Sequence, residues 1–296
     1  MVGLAQGNED CRAVVSFVAL KRGAVIVPAY DEAMVIERTL SPLSQLAVEG
    51  SIELIVVCNG CTDDTAQRAR GIPGAVVLET DVGSKTFALN TGDEAATSWP
   101  RLYLDADIEI TPTAVLAVLD ALRHGDVLAA RPAFRYGTRG ATALVRAYYR
   151  ARTRMTAERD ALWWAGVYAL AEAGHRRFGR FPDITGDDKF VDSQFATDEK
   201  MVVSTEPSIW VTPTDVRGLL TVLGRHNRGN VELASLDPHG APRTAGATAR
   251  AVLRTAGGPR SAADAVVYLA VALLVRLRAA RPSTSWERDV TSRSRR

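Results

Sequence analysis

Two aspartates separated by one small residue, Asp105-Ala106-Asp107, follow directly on the apolar run Arg101–Leu104. In a strand the side chains alternate, so this spacing predicts both carboxylates on one side with Ala106 turned away. Hard divalent cations take oxygen ligands, and Mg²⁺ or Mn²⁺ typically uses one or two carboxylates plus phosphate oxygens. Such a pair can hold a metal against a diphosphate. A second acidic pair, Asp187-Asp188, lies eighty residues on, with Asp183 as a nearby rival. A carboxylate beside another acid and partly out of water suits a general base acting on a weakly acidic alcohol. Lys85 follows Gly83-Ser84 at the start of a helical pattern, and Arg225 and Arg228 are spaced to share one helix face and donate to phosphates. Trp163 and Trp164, followed by Gly166, supply aromatic surface on which a sugar or planar acceptor can stack.

Cys58 and Cys61 form a C-x-x-C, but no second pair follows, and His124, His175, His226 and His239 are not spaced to complete a zinc site. Three cysteines in 296 residues point to a reducing compartment and not to a disulfide framework. The pair reads as two small residues around a loop. His175-Arg176-Arg177 reads as a solvated helix end.

The elements that must position these groups alternate. Strand-like runs are expected at Ala24–Val27, Ile52–Val57, Ala75–Leu78, Arg101–Leu104 and Val127–Ala130. Between them, Thr111-Pro112 opens a helix to about His124, Ser84 caps one through Ala96, and Thr62 is expected to cap one from Asp63 to about Arg70. Apolar strands separated by helices predict an α/β fold: a Rossmann-like, mostly parallel sheet with helices on both faces, built from βαβ units. Ligands bind such sheets beyond the carboxyl ends of the strands, which is where the polar segments fall.

Composition sets bounds. Apolar residues make up 47% and charged residues 24%, the profile of a globular chain with enough length for a core. Lys and Arg number 36 against 34 Asp and Glu, and a net +2 excludes a nucleic-acid binder that works by bulk charge. From Arg276 to Arg296, seven arginines stand against Glu287 and Asp289, so this segment is +5 and residues 1–275 are −3. Ser261 with Asp264 reads as a capping box opening a helix to about Arg281. Its run Ala265–Val275 is eleven uncharged residues where a bilayer span needs about 20. Apolar on every side, it is expected first to pack or to form a homodimer, and second to touch a membrane surface. Acidic residues within Met1–Arg12 do not suit a leader, and a cytoplasmic location is expected, with membrane association as the second expectation.

These motifs, in this order, resemble family 2 glycosyltransferases of the GT-A fold. Val25-Ile26-Val27-Pro28-Ala29-Tyr30-Asp31-Glu32 resembles the opening strand and nucleotide loop P-x-Y-N-E, with Asp31 for asparagine. Val56 to Thr65 resembles V-D-D-G-S-x-D-x-T, with Cys58 and Asn59 replacing two aspartates. Gly83-Ser84-Lys85 through Ala88-Leu89-Asn90-Thr91-Gly92 is similar to G-K-x-x-A-L-N-x-G. Asp105-Ala106-Asp107 matches D-x-D, Thr185-Gly186-Asp187-Asp188 resembles the E-D or D-D motif, and Gly224 to Asn230 resembles the late arginine motif. The match spans roughly residues 22–232.

The resemblance implies an inverting enzyme that moves a sugar from a nucleoside-diphosphate sugar to an acceptor hydroxyl, with Mg²⁺ or Mn²⁺ held by Asp107 and Asp105. It implies donor contacts from Pro28, Ala29, Tyr30, Glu32, Asn59, Asp63, Lys85, Asp105, Ala106, Arg225 and Arg228. Asp188 is then the base, with Asp187 orienting it or facing water, and Trp164 and Gly166 lie on the acceptor side. A missing tryptophan after Arg228 and the lack of long apolar spans imply a single, non-processive transfer. The expected divisions are an N-terminal extension (1–21), a donor half (22–130), an acceptor and catalytic half (131–232) and a C-terminal helical extension with a basic tail (233–296). A nucleotidyltransferase or a non-catalytic carbohydrate-binding protein are the alternatives, and the first would want a basic, Gly-rich loop that Pro28–Glu32 does not provide.

Overall fold

The computed structural model describes residues 21–155, 161–163, 165–236 and 245–279, with the side chains of 225, 228–236, 245 and 279 outside that description. Eight strands form one sheet: β1 (Ala24–Ala29), β2 (Glu53–Asn59), β3 (Ala75–Thr80), β4 (Arg101–Leu104), β5 (Ile108–Glu109), β6 (Ala129–Gly137), β7 (Val167–Leu170) and β8 (Lys200–Val211), in the order β3-β2-β1-β4-β7-β6-β8-β5. The first four neighbours are parallel. β7 then runs antiparallel between β4 and β6, β8 pairs parallel with β6, and β5 pairs antiparallel with β8. All five expected strands are present. The antiparallel insertions came from segments with no strand signal of their own.

Helices cover both faces. On one side lie α1 (Ile36–Leu40), α2 (Ser44–Val48), α3 (Thr65–Arg70) and α5 (Pro112–His124); on the other lie α4 (Lys85–Ala95), α7 (Glu172–His175) and α8 (Asp187–Ser193). Strand alternation makes this division. Val25, Val27, Leu54, Val56, Leu102 and Leu104 face the first layer, whereas Ala24, Ile26, Ile55, Val57 and Tyr103 face the second. Each fully buried Val, Leu or Ile contributes roughly 1.5–3 kcal/mol. Gly92 lets α4 lie on the sheet, because a Cβ there would come 2.4 Å from Ile26.

A third cluster forms where α6 (Ala143–Thr153), α9 (Val216–Leu236), α10 (Ala245–Arg254) and α11 (Pro259–Ala279) meet, with Tyr148, Tyr149, Leu219, Val252, Tyr268 and Val271 buried. Tyr148 and Tyr268 stack with ring centroids 4.8 Å apart. The expected capping box is replaced by a different arrangement. The helix starts at Pro259, so Ser261 reaches back and its hydroxyl accepts the Gly258 N–H at 2.9 Å. Asp264 is buried and takes Arg150 at 2.5 and 3.1 Å, with Arg154 as a further partner. Arg150 on α6 and Arg154 just past its end claim the carboxylate, so it is unavailable to the start of α11.

His175 is also not a solvated end. It is buried, and its Nε2 lies 2.9 Å from Asp93 Oδ2. Asp93 also accepts from Arg101 at 2.9 Å and from the Tyr103 hydroxyl at 2.8 Å, so an acid on α4 gathers the polar groups behind β4. The exposed Arg176 does face water. The N-terminal extension, the tail beyond Ala279 and Trp286 lie outside the described residues.

Candidate active site

Because β1, β2 and β4 are parallel and in register, with Ala29 opposite Cys58 and Ile26 opposite Tyr103, their carboxyl ends open on one edge. The loops that follow them meet there. An added Cβ on Gly60 would lie 3.1 Å from Gly83 Cα, and one on Gly83 would lie 3.9 Å from Tyr30. Gly60 has φ +69°, a conformation that glycine adopts without a Cβ penalty.

Pro28 and Ala29 are buried in β1 and Tyr30 is half-buried at its exit. Asp31 has φ 49°, the left-handed region that Asp and Asn tolerate, which explains why the two residues can exchange at this position. Its carboxylate accepts the N–H groups of Thr62 at 2.5 Å and Asp63 at 3.2 Å. Asp63 in turn accepts Thr65 N–H at 3.0 Å and Ala33 N–H at 3.3 Å, and Glu32 N–H donates to the Thr65 hydroxyl at 2.7 Å. The helix expected to run from Asp63 under a Thr62 cap therefore starts at Thr65, since Thr62 is occupied in fastening the two loops together. Glu32 is buried, and Asn59 closes β2 at 4% exposure.

Cys58 and Cys61 are free thiols. Their mutual hydrogen bond, together with burial, pushes Cys58 up, while that bond and the Asp31 N–H hold Cys61 down at about 7. Cys61 lies against both Ala29 and Asp31, with Sγ 3.3 Å from the Ala29 oxygen and 3.4 Å from the Asp31 nitrogen. Asp31, Cys61 and Asp63 bring their potential ligand atoms within 4.8 Å of one another.

The acidic centre is built by three separate stretches. Ser84 caps α4 by accepting the Phe87 N–H at 3.3 Å, which places Lys85 in the first turn facing the sheet edge. Lys85 Nζ is 2.7 Å from Asp105 Oδ1 and 2.9 Å from Asp187 Oδ1. Partial burial alone would pull the Lys85 ammonium down; Asp105, Asp187 and Asp188 overcome this and hold it well above the usual lysine range. Asp187 is buried, and its other oxygen accepts the Tyr168 hydroxyl at 3.0 Å. Burial, reinforced by the Asp187 charge, keeps that phenol protonated far above its ordinary range. Asp187 thus does not face water. Asp188 is half-buried, with Oδ1 accepting the Lys189 N–H at 2.8 Å, and Asp183 is exposed near Ser84.

Asp105 and Asp107 are not on a strand. β4 stops at Leu104, and Asp105–Ile108 is a turn closed by the Ile108 N–H on the Asp105 oxygen at 3.2 Å. The reversal feeds β5. It is pinned to α1 through the Ala106 oxygen, which accepts the Thr39 hydroxyl at 2.8 Å, and the Asp107 oxygen, which accepts Arg38 at 3.2 Å. Alternation therefore does not align the two carboxylates. β7 pairs antiparallel with β4, which sets Gly166 beside the turn: Asp105 N–H donates to its oxygen at 2.9 Å, and an added Cβ would lie 3.4 Å from Asp105 Oδ2.

Two residues that the sequence did not single out position this centre. Asn90 gives and takes hydrogen bonds with the Phe181 backbone at 3.0 and 2.9 Å, tying the approach to Asp187 onto α4. Tyr168 buttresses Asp187 from the sheet. The Asn of A-L-N was the available signal, because a buried amide must find partners. Trp163 lies against α8 with Lys189 Nζ 4.9 Å from its ring centre. Trp164 lies outside the described residues, and Arg225 and Arg228 fall on α9 with side chains outside the description.

Among solved structures, the fold is similar to the mannosyltransferase PcManGT from Pyrobaculum calidifontis, in complex with GDP-Man and Mn²⁺, at TM-score 0.57 and 22% identity over 88% of this chain and 83% of that one. It is also similar to glucosyl-3-phosphoglycerate synthase from Mycobacterium tuberculosis, in complex with Mn²⁺, UDP and glucosyl-3-phosphoglycerate, at TM-score 0.53 and 22% identity over 75% and 81% of the two chains. At that identity the likeness is one of fold. No curated protein matches the sequence. The family model described as glycosyl transferase family 2 matches residues 24–177, more than half of the chain and the stretch that supplies Lys85, Asp105 and Tyr168. With that match over more than half of its length, the chain belongs to glycosyltransferase family 2.

Proposed function

We propose that this enzyme is an inverting, non-processive glycosyltransferase that moves a sugar from a nucleoside-diphosphate donor to an acceptor hydroxyl with the help of Mg²⁺ or Mn²⁺. The observation that carries this reading is the convergence of Asp105, Lys85 and Asp187, from a strand end and the starts of two helices far apart in the chain, on one ion-paired centre at the sheet edge. The donor set fits the metal. The carboxylates of Asp105 and Asp107 are hard oxygen ligands, and they stand on one short turn at the end of β4. Bound there, the ion supplies neutralisation of the charge that develops on the departing diphosphate.

The chain's own groups account for the rest. Lys85, with Arg225 and Arg228, donates to the phosphates. Asp187, buried between the ammonium and Tyr168, positions Lys85 and is not itself the base. Asp188, beside it and half-exposed, accepts the acceptor hydroxyl's proton as the new C–O bond forms and the bond to the diphosphate breaks. A single base opposite the leaving group gives inversion at the anomeric carbon. We assign Pro28, Ala29, Tyr30, Glu32, Asn59, Asp63 and Ala106 to donor binding, and Trp164 and Gly166 to acceptor binding. The donor half then corresponds to residues 22–130 and the acceptor half to 131–232, with 233–296 as an extension.

The complexes of the two structural neighbours with Mn²⁺ and a guanosine or uridine diphosphate species support the donor class and the metal. A thermal-shift and turnover panel of sugar nucleotides, with Mg²⁺ or Mn²⁺ and with chelator, tests it. Ion-dependent stabilisation by at least one donor is expected, and the absence of binding and hydrolysis with all of them overturns it. Asp188→Asn should lower kcat roughly 10²–10⁴-fold with donor binding retained, whereas Asp107→Asn should lose the ion dependence of binding. Full turnover in both would refute the roles.

A further inference from the structure

The two faces of α11 differ. Its inner face is committed: Asp264 is ion-paired to α6, and Ala265, Tyr268 and Val271 are buried against α6 and α9. Its outer face is apolar and open. Val266 is 66% exposed, Leu273 57% and Leu277 61%, with Leu274 also exposed. At 3.6 residues per turn these four and Ala270 fall on a single stripe, and Arg276 and Arg278 fall on its two opposite edges. A stripe of this kind on a folded protein marks a contact surface.

We propose that this face docks the protein in the headgroup layer of an anionic membrane, with the helix lying in the plane of the interface. No helix among the described residues is long and apolar enough to cross a membrane, so the helix lies on the surface. The apolar stripe enters the acyl boundary, while the two arginines extend sideways to lipid phosphates. Charge selects this occupant over a second copy. The segment from Arg276 to Arg296, which includes both arginines, carries +5, a charge that a second copy repeats and an anionic surface balances. That charge favours an anionic surface while the rest of the chain, at −3, does not.

Flotation of the full chain with vesicles tests this. The protein should float with phosphatidylcholine–phosphatidylglycerol vesicles, remain behind with phosphatidylcholine alone, and be released by high salt. Leu273→Ser/Leu277→Ser should lower the bound fraction roughly tenfold or more, and Arg276→Ala/Arg278→Ala roughly tenfold, each with a native melting curve. Failure to float with the anionic vesicles, or equal flotation with neutral ones, overturns the proposal. So does a dimer in sedimentation equilibrium that Leu273→Ser/Leu277→Ser dissociates, which would assign the stripe to a second copy. None of these outcomes depends on the catalytic reading.

Discussion

Lys85 is the residue on which the acidic centre depends electrostatically. Three carboxylates surround it, and one of them, Asp187, is buried. A buried carboxylate that loses its cation keeps the desolvation cost without the attraction. Lys85→Met is therefore expected to destabilise the fold by roughly 2 kcal/mol, and Asp187→Asn in the same background should restore part of that, measured as a double-mutant cycle in urea. A purely additive cycle would show that the pair is not coupled. The same network explains why Asp187 and Asp188, adjacent and chemically identical, have different roles: one oxygen pair is fully engaged by Lys85 and Tyr168, while the neighbour remains half-exposed.

Elements position those residues through a few side-chain ties. Asn90 joins α4 to the segment leading into α8 with two buried hydrogen bonds. Asn90→Ala should cost roughly 2–3 kcal/mol and lower turnover by displacing Asp187, and urea melts together with kcat check both. Stability loss with unchanged kcat would make the tie structural only. Glu53 does comparable work at the start of β2. Burial would raise its carboxyl, but hydrogen bonds from Ser98 and Thr97 and the Lys21 ammonium win and hold it down at about 2. A depressed folded value means that the contribution is complete above the unfolded value of 4.5 and is lost as pH falls toward about 2. Glu53→Gln should therefore be less stable than the parent at pH 7, with the gap closing across that acidic window in urea melts.

Across the whole molecule, the C-terminal helices are a separate packing problem from the sheet. They build their own cluster around α6, fastened by Tyr148 on Tyr268 and by Asp264 between two arginines, and meet the sheet through Tyr136 and Trp210. The arginines hold the Asp264 carboxyl below its usual range, against the effect of burial. Asp264→Asn is expected to cost roughly 2 kcal/mol and to raise hydrogen exchange in α11 before it rises in the sheet. Simultaneous opening of both regions would mean that the helices and sheet are one cooperative unit.

The sequence by itself determined the first four parallel strands, the helices α3, α4 and α5 and the order of the polar loops, because continuous apolar runs and capped helical stretches are local signals. It also identified Lys85, Asp105, Asp187 and Asp188, whose types carry chemistry wherever they stand. Only the tertiary structure decided which of these meet. The turn at Asp105–Ile108, the burial of Asp187 and of His175, and the partners of Asp264 all depend on segments far away in the chain: the β7 strand, Tyr168, Asp93 and α6. A side chain's protonation and exposure are set by what packs against it, and long-range pairing such as β4 with β7 leaves no periodic trace in either strand alone.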